Sequence, residues 1–374
     1  MTTFPKTRAA ALVDRAALAD NFRTLSALAD TACGRKTRTV AVVKANAYGH
    51  GVSIAIPTLL AAGCDFFAVA TPEEALTVRV LAPNADILCL GFSPPALAGV
   101  LAKSNITQTV FSTAYARALS DAAVAAGVRL GVHLKIDGGM CRLGFAPDDT
   151  AALLDAASLA GLDVCGIYTH FPDPVNQKEV SRAAFRRFLS CRETLTRAGL
   201  SLFSHAASSA ALLDVPETVL DGARVGLALY GIPPVPCAIP LRRVMTVTAP
   251  IVQIHTVKSG TPVGYGGAFV TKRPSKIGTC PIGYADGLFR ALEGEAVRIF
   301  TKEGTCFAPI VGHICMDQTM LDLTDTSAAV GDTAVFLEDA AANAEKIGSI
   351  PYEVLTAVSA RVARVAVNEF HLTK

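Results

Sequence analysis

The sequence lacks a long apolar run, a paired-cysteine motif, an internal repeat and an excess of either charge. Each absence excludes something. A bilayer-spanning helix needs about 20 consecutive apolar residues, and the uncharged stretch 225–241 is broken by Pro233, Pro234, Pro236 and Pro240. Lys plus Arg number 34 against 32 Asp plus Glu, a net charge of +2 that gives no basic field for nucleic acid. The N-terminal residues, with Lys6, Arg8 and Asp14, have neither the apolar core nor the small-residue cleavage site of a secretory signal, so a cytoplasmic chain is expected. The ten cysteines show no CxxC and no paired zinc spacing, and are expected to be reduced and mostly buried, with no metal site.

What remains is a chain of 374 residues, 51% of them hydrophobic, with a mean hydropathy of +0.40. That is too apolar for disorder and long enough for two domains. The surplus must enter a buried sheet or an oligomer interface. Over the first 230 residues, short apolar runs at 39–43, 65–70, 86–90, 108–111, 132–136, 163–168, 202–205 and 222–226 alternate with Ala- and Leu-rich amphipathic stretches. Eight strand-helix repeats predict a closed (β/α)8 barrel, with a doubly wound open sheet as the competing architecture. Asp14 is a suitable N-cap for a helix at 15–28, and Pro72, Glu73 and Glu74 read as a first helical turn. The GIPPVPCAIP segment then halts the alternation. A boundary there makes 1–235 the barrel and 236–374 a mostly β domain, with strands at 244–257, 276–281, 296–300, 308–311, 319–323 and 333–337.

Barrel active sites lie at the C-terminal strand ends. The polar residues there are Lys44 after the first strand, Lys135, Asp137 and Arg142 at the fifth, and His170 after the sixth. Ser208 and Ser209 follow the seventh strand and Arg224 lies on the eighth, ahead of Gly226 and Leu227. A lysine abutting apolar strand residues is a candidate for a partly desolvated amine capable of Schiff-base chemistry. The seventh and eighth loops commonly hold phosphate, although a helix cap and a turn would account for either segment alone. Together these features point to pyridoxal 5'-phosphate.

The motifs AVVKANAYGHG, LKIDGGMCRLG, YTHF, ARVGLALYG, VGYGGAF, IGYADG, VGHICMDQTM and IPYEVL occur in that order between residues 41 and 355. In this the chain resembles the alanine racemases, fold-type III pyridoxal-phosphate enzymes. The resemblance implies that Lys44 holds the cofactor and acts as one catalytic base on the D enantiomer, with Tyr265 as the second base on the L enantiomer. It implies that Arg224 hydrogen-bonds the pyridine nitrogen with His170 behind it, that Tyr48, Ser209, Gly226 and Tyr352 bind the cofactor phosphate, and that Leu227 is a further cofactor-binding residue. Arg142 and the Met316 amide would bind the substrate carboxylate, Lys135 would be carbamylated, and Tyr284 and Arg290 would line the access corridor. Tyr265 and Met316 would come from the second subunit of a homodimer, and the product, D-alanine, would serve peptidoglycan synthesis. The sequence departs from the family pattern at Gly138, Cys141, Ser208, His313, Ala363 and Ala366. A fold-type III decarboxylase is the competing enzyme, disfavoured by Arg224 where an acidic residue would stand. A non-catalytic carrier is disfavoured by the presence of the second domain.

Overall fold

The computed structural model describes residues 8–369. They form two compact units. The first comprises Ala19–Ala47 and Ala55–Leu241; the second comprises, among the described residues, 8–18, Tyr48–Ile54 and 242–369.

The chain enters through β1 (Ala10–Asp14), and the first unit is then built on eight parallel strands: β2 (Arg38–Val42), β3 (Phe66–Val69), β4 (Asp86–Cys89), β5 (Thr107–Val110), β6 (Leu130–Lys135), β7 (Leu162–Tyr168), β8 (Phe203–Ser208) and β9 (Gly222–Val225). Each pairs with the next, and β9 returns to β2 with Ala41 facing Val225, which closes the barrel and rules out the open sheet. All four residues of β3 and of β9 are buried, as expected for strands with a core on both sides. Burying each Val, Leu, Ile or Phe side chain contributes about 1.5–3 kcal/mol, which is where much of the apolar surplus goes. The helix boundaries follow local chemistry. Asp14 Oδ1 accepts from the Ala17 amide at 2.9 Å and starts Arg15–Cys33, and Thr71 caps Pro72–Leu81.

The second unit holds β10 (Met245–Pro250), β11 (Gln253–Val257), β12 (Pro262–Val263), β13 (Phe269–Val270), β14 (Ser275–Cys280), β15 (Ala296–Thr301), β16 (Gly304–Pro309), β17 (Thr319–Asp322), β18 (Thr333–Leu337) and β19 (Ala363–Val367). They form a six-stranded sheet in the order β16-β15-β18-β10-β1-β19, a three-stranded sheet β11-β14-β17 and the hairpin β12-β13.

The first strand of the segment assigned to the barrel, β1, lies instead in this second sheet, antiparallel to β10 and parallel to β19. Its five residues are all buried, so no polar alternation advertises it, and its partners are more than 200 residues away. The single run at 244–257 is two strands in different sheets, β10 pairing with β1 and β18 and β11 with β14. The cysteines are all free, but only Cys64, Cys89, Cys191 and Cys280 are buried; Cys141 is exposed and the others are half-buried, fewer than the apolar runs suggest.

Candidate active site

Lys44 stands two residues beyond the end of the first barrel strand, β2, and is half-buried. Burial lowers its amine pKa, the Arg142 guanidinium lowers it further, and Glu74 opposes both. The next four residues are unusual: Ala45, Asn46, Ala47 and Tyr48 have φ of 52°, 54°, 55° and 52°. This is a full turn of left-handed helix made without glycine, at a cost of about 1–2 kcal/mol per residue. The surroundings must hold it. Glu74 does part of this, accepting from the Ala45 amide at 2.6 Å and from the Ala70 amide at 2.8 Å. Such strain gathers at functional sites.

On β6, Lys135 is only 6% exposed and makes no ion pair among the described residues. Burial first, then the charges of Arg142 and Arg224, hold its amine at about 8. Its Nζ lies 5.9 Å from the centre of the Tyr168 ring. The loop that carries Arg142 is ordered by Asp137, whose carboxylate accepts from the amides of Gly139, Met140 and Cys141. Cys141 pays for this turn with a φ of 53°, a conformation that suits glycine better. Arg142 itself is exposed.

Arg224 on β9 is buried without a carboxylate. Its Nη1 donates to His205 Nδ1 at 2.8 Å and to the His205 carbonyl at 3.0 Å; its Nη2 donates to the carbonyls of Thr169 at 2.6 Å and Ala206 at 3.1 Å, with His170 Nδ1 at 3.5 Å. Among the described residues the Nε–H has no acceptor. An arginine can only donate, so His205 Nδ1 is an acceptor, its Nε2 carries the proton, and that proton is given to His133 Nδ1 at 2.9 Å. Tyr168 stacks on His205 at 4.8 Å and lies 5.1 Å from the guanidinium carbon. Sequence reasoning did not find His133 or His205, which sit among apolar strand residues. A trace of the first survives in Gly166, where a Cβ would stand 2.4 Å from the His133 ring.

Burial and then the Arg224 charge hold His133 at about 3 and His205 well below the ordinary value. In the unfolded chain both bind protons below about pH 6.5. Their folded values are depressed, so the native state forgoes those protons; stability is complete above pH 6.5 and is lost as the pH falls. Two such groups contribute up to about 3 kcal/mol per pH unit. Burial and then Arg224 hold His170 at about 3 as well, so unfolding in urea should take up about one and a half protons at pH 6.5, rising toward about three at pH 5; a stability independent of pH across that window would contradict the neutral histidines.

Ser209 Oγ accepts from the Gly226 amide at 2.9 Å, which joins the loops after β8 and β9, and Leu227 begins the buried turn Leu227–Tyr230. Ser208 caps the helix Ser209–Asp214, accepting from the Ala211 amide at 3.5 Å. An asparagine would cap as well, so this departure from the family pattern leaves the local fold intact. Within the first unit, then, Lys44, Lys135, Arg142, His170, Ser209, Arg224, Gly226 and Leu227 all stand at or just beyond the C-terminal ends of barrel strands.

In the second unit, Tyr48 and Tyr352 bring their rings to 5.9 Å. Gly49 makes this possible: a Cβ there would stand 2.2 Å from the Leu355 carbonyl oxygen, and its φ is 81°. Tyr265 tops a turn flanked by Gly264 at φ 75° and Gly266 at φ 65°, with 73% of its surface exposed. Met316 and Tyr284 are brought together, because the amides of Tyr284 and Ala285 donate to the carbonyls of Cys315 and Met316, both at 3.0 Å. Arg290 joins this group through Glu293, which accepts from Arg290 Nε at 3.2 Å and from the Ile314 amide at 3.0 Å; His313 Nδ1 lies 2.8 Å from its other oxygen. Beneath them Asp286, fully buried, pairs with Arg8 and Arg361, and Arg361 reaches on to Asp317.

An amine at a strained strand end, three further cations at the C-terminal strand ends of the same barrel and a separate β-rich unit define a two-domain (β/α)8 enzyme. The alanine racemase N-terminal domain model matches residues 13–234 and the C-terminal domain model matches residues 244–366. The chain belongs to the alanine racemase family. It is 37% identical to alanine racemase 2 of Caldanaerobacter subterraneus over 89% of each chain, and 36% identical to the alanine racemase of Clostridium novyi over 96% of this chain and 95% of that one. Among solved structures, the alanine racemase of Clostridium difficile superposes with a TM-score of 0.88 at 31% identity, covering 99% of this chain and 98% of that one. That of Bartonella henselae, with covalently bound pyridoxal phosphate, gives 0.84 at 29% identity, covering 96% of this chain and all of that one.

Proposed function

We propose that the protein interconverts L-alanine and D-alanine with pyridoxal 5'-phosphate held on Lys44. The observation that carries this reading is the placement of Lys44, a depressed amine on a left-handed turn, in the company of Lys135, Arg142 and Arg224. None of the four pairs with a carboxylate among the described residues. This donor set fits the cofactor, since an amine answers its aldehyde, the cations answer its negative charge, and the uncommitted Arg224 Nε–H answers its ring nitrogen. Such a cofactor delocalises the electrons left behind when an amino acid loses its α-proton.

The chain's own residues do the rest. Racemisation removes a proton from one face of the α-carbon and returns one to the other, which calls for two acid/base groups on opposite faces. Lys44 serves the D enantiomer. Tyr265 serves the L enantiomer and comes, with Met316, from a second copy of the chain in a homodimer. Arg142 and the Met316 amide hold the substrate carboxylate, while Tyr284 and Arg290 line its approach. Tyr48, Ser209, Gly226 and Tyr352 hold the cofactor phosphate, and Leu227 is a further cofactor-binding residue. Arg224, backed by His170, donates to the ring nitrogen and gives it no proton, because a guanidinium even at about 10 keeps its own at neutral pH. By the same resemblance the enzyme works in the cytoplasm and supplies D-alanine to peptidoglycan; a racemase-free strain that grows without D-alanine would refute that role.

Lys135 is the carbamylated residue. Only a neutral amine attacks carbon dioxide, and at about 8 roughly a tenth of Lys135 is neutral at pH 7, against about 0.03% for an ordinary lysine. The product carries a negative charge beside Arg142, which turns repulsion into attraction. Protein equilibrated with 13C-bicarbonate should give a carbamate carbon resonance that is lost in Lys135→Arg; a resonance unaffected by the substitution would overturn the assignment.

The decisive test of function is incubation of the purified protein with L-alanine and pyridoxal phosphate, followed by chiral chromatography. D-alanine should accumulate to equality with L-alanine. No D-alanine, from protein that carries the lysine-linked cofactor, would refute the reading.

A further inference from the structure

Glu74 has no part in the roles described so far, yet it is the carboxylate nearest in effect to Lys44. It lies in the first turn of the helix Pro72–Leu81, whose capping needs are met without it, by Thr71 accepting from the Glu74 amide at 3.3 Å. Its side chain is spent on two backbone donors in two other segments. One oxygen takes the Ala45 amide, the first N–H of the left-handed turn; the other takes the Ala70 amide, just past the end of β3. The turn needs such a clamp. Four consecutive non-glycine residues at positive φ relax toward ordinary backbone unless fixed at their ends, and the far end is already secured, with the Ala47 amide bonded to the Val43 carbonyl at 2.8 Å. Ala45 is exposed, so in the absence of Glu74 its amide would turn to water.

We propose that Glu74 is the positioning residue for Lys44: by tying the Ala45 and Ala70 amides to one carboxylate, it locks the left-handed turn and fixes where the lysine amine is presented. This rests on the reading of Lys44 as the cofactor lysine. A reacting group misplaced by about 1 Å loses roughly 100-fold in rate, so the clamp would matter far beyond its two hydrogen bonds. Its negative charge has a second effect. Lys44 is faced by Arg142, and its own charge is felt by Lys135 and His170, so Glu74 is the counterweight in a cationic site.

Glu74→Gln tests this, because the amide retains one acceptor but sets an NH2 against the second backbone donor. In the variant, the Ala45 amide should exchange with deuterium about tenfold faster or more, and kcat should fall about 10- to 100-fold with KM for alanine changed by less than about threefold. On protein stripped with hydroxylamine and returned to pyridoxal phosphate, the absorbance change reporting the Lys44 linkage should form more slowly and follow a pH profile displaced to lower pH. Glu74→Asp, one methylene too short to span both amides, should lose the same amide protection while keeping the pH profile; it carries the test if the glutamine variant does not fold. Folded variants with wild-type Ala45 exchange, linkage rate and kcat would overturn the proposal. If the wild-type protein forms no linkage at Lys44 at all, the functional reading fails instead.

Discussion

Phenylalanine at position 265 is expected to slow racemisation by about 100-fold or more, the lower end of what a positioned acid/base group supplies. Loss of one neutral hydrogen bond costs about 0.5–1.5 kcal/mol, at most roughly tenfold, so the two explanations are separated by an order of magnitude. The fold of the variant is not at risk, since Tyr265 is 73% exposed on a turn shaped by its flanking glycines. The loss should also be directional. If Tyr265 takes the proton of the L enantiomer, deuterium at Cα should raise the isotope effect for L-alanine in the variant more than for D-alanine. A near-wild-type rate, or an effect equal in both directions, would remove Tyr265 from the chemistry.

The same residue tests the shared site. Lys44→Ala and Tyr265→Ala homodimers are both expected to be inactive, but after subunit exchange about half of the dimers are mixed. Each mixed dimer holds one site with both native residues and one with neither. Exchange should thus restore about a quarter of wild-type activity, and none at all if Lys44 and Tyr265 act within one chain.

The barrel was readable because its strands are short apolar runs of even spacing, and the strand-end rule then pointed straight at Lys44, Lys135, Arg142, His170, Ser209 and Arg224. The roles of Tyr265, Met316, Tyr284 and Arg290 came from resemblance alone, because a tyrosine in VGYGG has no local property that distinguishes it from an edge-strand aromatic. What stayed hidden is the support. Glu74 reads as a helix-starting residue and is one, but its side chain acts on an amide 29 positions away. His133 and His205 look like polar interruptions of buried strands until the barrel closes and places them in line with Arg224. β1 was missed for a related reason, its partners being set by contacts that no local pattern encodes. Long-range hydrogen bonding, which decides what a polar group in an apolar run is for, is the information a single sequence withholds.

Glutamate in place of Arg224 should change the reaction as well as the rate. The native guanidinium is buried, points two nitrogens at His205, Thr169 and Ala206, and has only an Nε–H to offer the cofactor ring. On the proposed reading it would donate a hydrogen bond to that ring without giving up a proton, which would make the cofactor a weaker electron sink than one paired with an acid. A carboxylate would instead favour a protonated ring nitrogen, hold the electrons left on the α-carbon longer in the cofactor, and give protonation at the wrong carbon time to occur. Racemisation should fall about 100- to 1,000-fold, the range for removing one preorganised donor from a reacting centre, and pyruvate should appear as the cofactor is converted to its amine form. The substitution also takes the Arg224 donor from the Thr169 and Ala206 carbonyls and from His205 Nδ1, each a cost of about 1–3 kcal/mol where no other donor replaces it, so Arg224→Lys is the control that keeps the charge and part of the hydrogen bonding. It should be destabilised as well, yet release no pyruvate. Pyruvate from both variants would assign the side reaction to a loosened site, and pyruvate from neither would mean that the unprotonated ring nitrogen is not what restrains the enzyme.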